Sequence, residues 1–117
     1  MFTVSIQREA GYLRAAASGP ADVHENCAGI VFVADLLRRT GTPRLLFDML
    51  ELQVCFGRAE GLEVLSTLYA SMPAMEKIAV LAPAGMSHGL VLEVARHRNV
   101  PAMEFASASE ADAWLRA

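Results

Sequence analysis

Two short, uninterrupted apolar runs constrain the fold of this chain more than any other feature. The first is Leu45 to Phe47, which ends at Asp48, and the second is Ile78 to Leu81. A strand with apolar side chains on both faces needs cover on both faces, which is typical of the central strands of a parallel sheet. Parallel neighbours are joined by crossover connections, usually helices, so the two runs predict an α/β fold.

The hydrophobic pattern around these runs predicts the remaining elements. Residues 2–7 and 12–17 alternate apolar with other side chains around a turn at 9–11, which indicates an antiparallel hairpin closed by Gly19 and Pro20. Helical spacing follows in four segments, and a short strand precedes the last of them. The helices are expected from Val23 to before Gly41, around Leu62 to Tyr69, around Leu90 to Ala95, and from Ser107 to Leu115, where Ser107 and Glu110 form a capping box; the strand is expected at Ala102 to Phe105.

Length and element order together predict one domain. A chain of 117 residues is long enough for one hydrophobic core and too short for two. We therefore expect a single α/β domain over residues 1–117, with a mixed, mostly parallel sheet of about five strands, an N-terminal hairpin and about four helices.

Composition and charge argue against several classes of function. Ten Lys and Arg against 13 Asp and Glu give a net charge of -3, so there is no basic field for nucleic acid. The longest apolar run, Cys27 to Ala34, is far shorter than the roughly 20 residues of a membrane span. Residues 1–9 lack the basic start and apolar stretch of a signal peptide, so we expect a cytoplasmic protein.

Neither a metal site, a cofactor nor a catalytic centre is expected. His24, His88 and His97 lack metal-ligand spacing with either cysteine. Cys55 and His88 could act as nucleophile and base only if the fold brought them together, and no third orienting group is evident. We interpret Cys27 and Cys55 as small core or pocket-lining residues, and the chain as a protein that is not an enzyme.

Ligands of open α/β sheets bind outside the carboxyl ends of the strands, which directs attention to residues 19–22, 49–57 and 83–88. Ser87 and His88 would lie at a helix N-terminus that attracts anions, although Ser87 could equally be only the N-cap. Asp48 could orient a base, or it could accept hydrogen bonds from the loop that it enters.

The segment from Met49 to Gly57 is predicted to be a long loop with unusually apolar side chains. These are Met49, Leu50, Leu52, Val54, Cys55 and Phe56, and Met72, Met75 and Met86 border other loops. Apolar side chains on a surface loop mark a site for a protein partner or a ligand. The alternative is that this segment folds inward over the core, or is partly a short strand or helical turn.

Three pieces of the sequence, in this order, resemble the STAS fold, and most of all the small stand-alone SpoIIAA-like proteins. They are the hairpin end Ala17–Pro20, the strand Leu45–Asp48, and the stretch from Met103–Phe105 to Glu110–Leu115. The resemblance covers nearly the whole chain. The resemblance implies that the chain is related to anti-sigma factor antagonists. In those proteins a Ser at the start of the helix after the central strand accepts phosphate.

The position of that Ser is occupied by Glu60 in this chain, after a loop that is about two residues longer, whereas Gly61 and Leu62 match the pattern. The departure argues against a phosphorylation switch. Glu60 also has a purely structural interpretation, because a carboxylate in the first turn of a helix interacts favourably with the helix dipole.

Two functional hypotheses follow. The first is a non-catalytic regulatory or protein-interaction module, binding a partner or forming a homodimer. The second, by analogy with Sec14-type carriers of related fold, is a carrier of a small apolar ligand such as a fatty acid. For either role the candidate binding residues are Asp48, Met49, Leu50, Leu52, Cys55, Phe56, Gly57, Glu60, Ser87 and His88.

Overall fold

A computed structural model describes residues 1–82 and 101–117 of the chain. Within these ranges the strands are β1 (Thr3–Glu9), β2 (Tyr12–Ala21), β3 (Arg44–Val54), β4 (Lys77–Leu81) and β5 (Ala102–Phe105), and the helices are α1 (Val23–Thr40), α2 (Arg58–Ser71) and α3 (Ala108–Arg116). The helix predicted around Leu90 to Ala95 and the candidate residues Ser87 and His88 lie outside the described residues.

The five strands form one sheet in the order β1-β2-β3-β4-β5. β1 pairs antiparallel with β2, and the other three pairings are parallel. The predicted mixed sheet, with its N-terminal hairpin and one antiparallel edge strand, is therefore confirmed.

Helix α1 has the length that its sequence pattern predicts, because both of its ends are capped. Asp22 and Glu25 form a capping box, in which the Asp22 carboxylate accepts from the Glu25 amide at 2.8 Å and the Glu25 carboxylate accepts from the Asp22 amide at 3.1 Å. At the other end Gly41 adopts the left-handed conformation, with φ of 65°, and its N–H donates to the Leu37 carbonyl. The helix spans 18 residues.

The two faces of the sheet are covered by different helices. The α1/α2 face is covered by α1 and α2, and the α3 face is covered by α3. The α1/α2 face and its two helices bury one cluster: Leu13, Ala15, Ile30, Val33, Leu37, Leu45, Phe47, Leu68, Ile78, Val80 and Ala82. The α3 face buries a smaller cluster: Tyr12, Leu46, Ala79, Leu81, Ala111 and Leu115, flanked by Phe105 and Trp114.

Polar contacts hold the short helix α3 on its face. The Tyr12 hydroxyl donates to Asp112 at 2.6 Å, the Lys77 ammonium donates to the Trp114 carbonyl at 2.7 Å, and the Arg44 guanidinium donates to the Leu115 carbonyl. The bond from Tyr12 holds the pKa of the Asp112 carboxyl below its usual value. α3 is thus held by hydrogen bonds to the ends of three strands as well as by its two buried apolar residues.

The predicted capping box at the start of α3 forms only in half. The Ser107 hydroxyl accepts from the Glu110 amide at 3.5 Å, as an N-cap does. Within the described residues the reciprocal bond from the Ser107 amide to the Glu110 carboxylate is not formed.

Strand β2 continues through Gly19 and Pro20, which were predicted to close it, and ends at Ala21. Its pairing with β1 ends at Ser18, whereas its pairing with β3 runs on to Ala21. Beyond Ser18 β2 therefore has a neighbour on one side only, and a proline is tolerated at such an edge. Gly19 has φ of 84°, and a Cβ there would clash with the backbone of Met1, which crosses it.

The predicted loop from Met49 to Gly57 is wrong over most of its length. β3 extends to Val54, because residues Glu51 to Val54 pair in parallel with Ser18 to Ala21 of β2. Of the alternatives considered for this segment, the one that includes a strand is closest to the structure.

Candidate functional site

A β-bulge in β3 determines which side chains reach the interior. Ala16 pairs with Asp48 and Ser18 pairs with Glu51, so two residues of β3, Met49 and Leu50, oppose the single residue Ala17 of β2. One extra residue reverses the faces to which the following side chains point. Phe47 before the bulge, Met49 within it and Leu52 after it all line the space beneath α1 and α2.

The bulge is held by Asp48. One of its carboxylate oxygens accepts from the Leu50 amide at 3.1 Å, and the other accepts from the Arg14 guanidinium at 2.5 Å. Asp48 therefore bonds to the backbone of the segment that it enters, which is the structural one of its two predicted roles. Its second partner is an arginine rather than a base.

A cavity of about 660 Å³ lies between the α1/α2 face of the sheet and the two helices. Its described walls come from β1, β2, β3, β4, both helices and the connection before α2. They are Phe2, Val4, Ala15, Ala17, Asn26, Gly29, Ile30, Val33, Phe47, Met49, Leu52, Val54, Phe56, Gly57, Arg58, Gly61, Val64, Leu65, Leu68 and Val80.

Small residues on facing elements create this space. The cavity is lined by Ala15 and Ala17 of β2, by Gly29 of α1 and by Gly61 of α2. A Cβ at Gly29 would lie 3.2 Å from the Phe2 ring, so α1 approaches β1 closely at this point. Since none of these four residues has a long side chain, the volume between the elements is not filled.

The structure divides the predicted binding residues into two groups. Met49, Leu52, Phe56 and Gly57 line the cavity, so this apolar stretch largely turns inward and is not one surface patch. Leu50, Cys55 and Glu60 are exposed and are not among the described lining residues, and Asp48 supports the bulge. Likewise, Met72 and Met75 pack against the core.

The prediction that both cysteines are core or pocket-lining residues does not hold for both. Both thiols are free. Cys27 is half-buried, with its Sγ 3.5 Å from the Thr67 hydroxyl on α2. Cys55 is exposed, so the prediction is wrong for Cys55, because β3 carries it past the last paired residue of the sheet.

Two polar side chains that were not predicted lie on the cavity wall. Asn26 is only 9% exposed, and it is the one buried polar residue of the described part of the chain. Arg58 is the one charged side chain among the described lining residues. They belong to the first turns of α1 and α2, which begin where two parallel strands end.

A signal for Asn26 was present in the sequence. Ile30, Val33 and Leu37 form the buried stripe of α1, and Asn26 precedes Ile30 by one helical turn on the same stripe. A polar residue in register with a buried apolar stripe indicates a hydrogen-bonding site. Arg58 had no such signal, because its place on the wall depends on where β3 ends.

Glu60 lies in the first turn of α2 and is exposed. Its carboxylate accepts from the Gly57 amide at 3.5 Å, which is the N-cap position of the helix. This geometry matches the structural interpretation of Glu60, in which a carboxylate satisfies a free amide at the helix start.

Within residues 1–82 and 101–117, no three His, Cys, Asp or Glu side chains are placed to hold a metal ion together. In the same ranges no helix combines the length and the apolar character that crossing a membrane requires.

Comparison with known proteins finds similarity in structure only. No protein-family model and no curated protein sequence matches the chain. An anti-sigma factor antagonist from Mycobacterium paratuberculosis superimposes with a TM-score of 0.71 at 15% identity, covering 100% of this chain and 96% of that one.

Two further solved structures are similar. A protein with a SpoIIAA-like fold from Shewanella loihica PV-4 gives a TM-score of 0.67 at 16% identity, with 97% and 93% of the chains covered. The cell-fate determinant SpoIIAA of Bacillus, in its phosphorylated form, gives 0.51 at 15% identity, with 99% and 100% covered. The chain therefore has the SpoIIAA-like fold that the sequence motifs predicted.

Proposed function

We propose that this chain is a cytoplasmic, non-catalytic regulatory module that binds another protein through the connection between β3 and α2. The observation that carries the proposal is the exposure of apolar side chains on either side of this connection, where Val54 is 42% and Leu62 is 41% exposed. Exposed apolar side chains at a binding surface release water when a partner covers them. An anti-sigma factor antagonist with the same fold supports a regulatory role.

The charge at this surface is permanent. Glu60 occupies the position at which the resemblance to anti-sigma factor antagonists implies a phosphorylatable Ser. Its side chain is exposed, and in the sequence it lies between the exposed residues Val54 and Leu62. A partner that complements this surface would present apolar side chains beside a basic group. Phosphorylation at position 60 is not part of the proposed regulation.

The absence of catalysis is part of the same proposal. Two side chains were considered as catalytic groups, Asp48 and Cys55, and neither is arranged for catalysis. The Asp48 carboxylate accepts hydrogen bonds from Arg14 and from the Leu50 amide. The Cys55 thiol lies 3.6 Å from the Gln53 carbonyl, and no base is hydrogen-bonded to it within the described residues. Both free cysteines are compatible with the reducing conditions of the cytoplasm.

The proposal is tested by comparing two exposed apolar side chains. Leu62→Asp places a charge on α2 beside the connection, and Phe32→Ser is the control, because Phe32 is 52% exposed on α1. A partner crosslinked to the wild-type chain in host lysate should be retained by Phe32→Ser and lost with Leu62→Asp. If the partner is a second copy, sedimentation should show a dimer that Leu62→Asp converts to a monomer.

Either of two results would contradict the proposal. The first is a wild-type chain that sediments as a strict monomer and retains no partner. The second is a partner whose binding survives Leu62→Asp and is lost with Phe32→Ser, which would move the interface to α1.

A further inference from the structure

The cavity has the size and walls of a small-molecule site. Pockets that bind small ligands measure roughly 300 to 1,000 Å³ and are mostly apolar with a few placed polar groups. The cavity, at about 660 Å³, lies within that range, and its described walls are apolar apart from Asn26, Arg58 and backbone groups. Binding of a small molecule here is separate from the protein-binding role proposed above.

Asn26 indicates what a ligand must supply. An amide carries two donors and an acceptor. Asn26 is nine-tenths buried and lies on the cavity wall, and no buried side-chain nitrogen or oxygen in the described residues lacks a hydrogen-bond partner. Its amide is therefore a polar group that a ligand in the cavity can use through a hydrogen-bonding group of its own.

Arg58 favours a ligand with a negative charge. It is the first residue of α2, and the N-termini of α1 and α2 add partial positive charge at the same edge of the sheet. The nearby carboxylates bond elsewhere: Asp22 and Glu25 cap α1, and Glu60 accepts from the Gly57 amide. None of these three is among the described lining residues.

We propose that the cavity binds a single-chain monocarboxylate of the fatty-acid type. The carboxylate accepts hydrogen bonds from the Asn26 amide and the Arg58 guanidinium. The hydrocarbon chain lies along the apolar wall formed by the sheet and the two helices, including Val4, Ile30 and Phe47. The ligand thus pairs the amide and the one charged group among the described wall residues, and it fills space that the small residues leave open.

The experiment compares two probes of equal chain length, dodecanoate and 1-dodecanol, by isothermal titration calorimetry at concentrations where both are monomeric. A charged hydrogen bond stabilises a complex enough to change affinity about tenfold or more, so dodecanoate should bind at least about tenfold more tightly than dodecanol. Arg58→Gln should remove this preference. Arg39→Gln, at an exposed arginine of α1, is the matched control and should keep it.

Two further variants act on the cavity itself. Asn26→Leu should weaken dodecanoate binding by about tenfold, because it removes the amide partner of the carboxylate. Ala17→Phe places a ring in the cavity and should abolish binding of both probes. Circular dichroism establishes that each variant is folded, and the exposed Arg58→Gln carries the test if Ala17→Phe does not fold.

Three results would overturn the inference. They are the absence of saturable dodecanoate binding to the wild-type chain, equal affinity for dodecanoate and dodecanol, and equal losses with Arg58→Gln and Arg39→Gln. None of these results bears on partner binding through Leu62, so this inference and the proposed function can fail separately.

Discussion

The α3 face and the α1/α2 face of the sheet are covered by helices that are held in different ways. α3 has nine residues and is held by hydrogen bonds from Tyr12, Arg44 and Lys77, which come from three different strands. α1 and α2 have 18 and 14 residues and bury a larger apolar cluster, yet they leave a cavity against the sheet. The shorter helix is therefore the more closely fitted one.

The difference follows from side-chain size. On the α3 face, the Trp114 ring contacts Phe105 at 5.6 Å between centroids and lies 5.1 Å from the Lys77 ammonium. On the α1/α2 face, Ala15 and Ala17 line the cavity with small side chains that leave its volume unfilled. Protein interiors are otherwise close-packed, so open apolar volume with an amide and a guanidinium on its described wall indicates a binding site rather than a structural core.

The largest expected contrast comes from truncating one leucine on each face. Leu115→Ala removes a fully buried side chain from the α3 face and should lower the free energy of unfolding by about 3 kcal/mol. Leu65→Ala truncates a half-buried side chain on the cavity wall and should lower it by about 1 kcal/mol, because fewer contacts are lost. Urea denaturation measures both, and equal losses would mean that the cavity is not open in solution.

Enlarging an alanine on each face should give opposite signs. Ala111 is fully buried on the sheet-facing side of α3, so Ala111→Leu should destabilise the chain by about 2 kcal/mol through overpacking. Ala17→Leu extends into the cavity and should stabilise the chain by about 1 kcal/mol. Thermal unfolding of both variants checks this prediction, which fails if Ala17→Leu is as harmful as Ala111→Leu.

Removing a polar group from each face should also give opposite signs. Tyr12→Phe deletes the donor to Asp112 and should destabilise the fold by about 1 kcal/mol. Asn26→Leu replaces an amide by an apolar side chain in register with the buried stripe of α1 and should stabilise the fold by about 1 kcal/mol. Unfolding in urea gives both values, and a destabilised Asn26→Leu would show that the amide has a structural partner.

The smallest expected effect is the pH dependence of the two faces. The bond from Tyr12, and then that from Arg116, lower the pKa of Asp112, so its contribution is present above the unfolded value of 3.8 and is lost as pH falls further. Melting temperatures between pH 5 and pH 2 should therefore fall less steeply in Tyr12→Phe than in wild type.

The stability contributed by the α1/α2 face should depend on pH in the alkaline range. Burial raises the pKa of Tyr69 to about 12 from 10.0, so its contribution is complete below pH 10 and is lost as pH rises towards 12. Tyr69→Phe should retain more of its neutral-pH stability at pH 11 than wild type does. Identical alkaline profiles would show that Tyr69 is solvated in the folded chain.

Much of the fold was predictable because the side-chain pattern follows the backbone. The apolar positions of α1 gave its bounds, and the run from Leu45 to Phe47 marked a central strand. The end of β3 was not predictable, because the bulge after Asp48 breaks the alternation that identifies a strand. Met49 to Val54 therefore had the pattern of an apolar loop.

The site was predictable only in part. Met49, Leu52, Phe56 and Gly57 were identified from their apolar character and their place after a central strand. The cavity itself depends on small residues of three elements, β2, α1 and α2, which come together only when the chain folds. The spacing of residues along the sequence does not show that these elements meet. Asn26 is the exception, since its register with the buried stripe of α1 was visible.

The most direct test of the difference between the two faces is a methyl NMR titration of the wild-type chain with dodecanoate. The account predicts saturable shifts of the Ile30, Val33 and Leu68 methyls on the α1/α2 face, with the methyls of Leu46 and Leu115 on the α3 face unchanged. Shifts confined to the α3 face, shifts of equal size on both faces, or no shifts at all would contradict it.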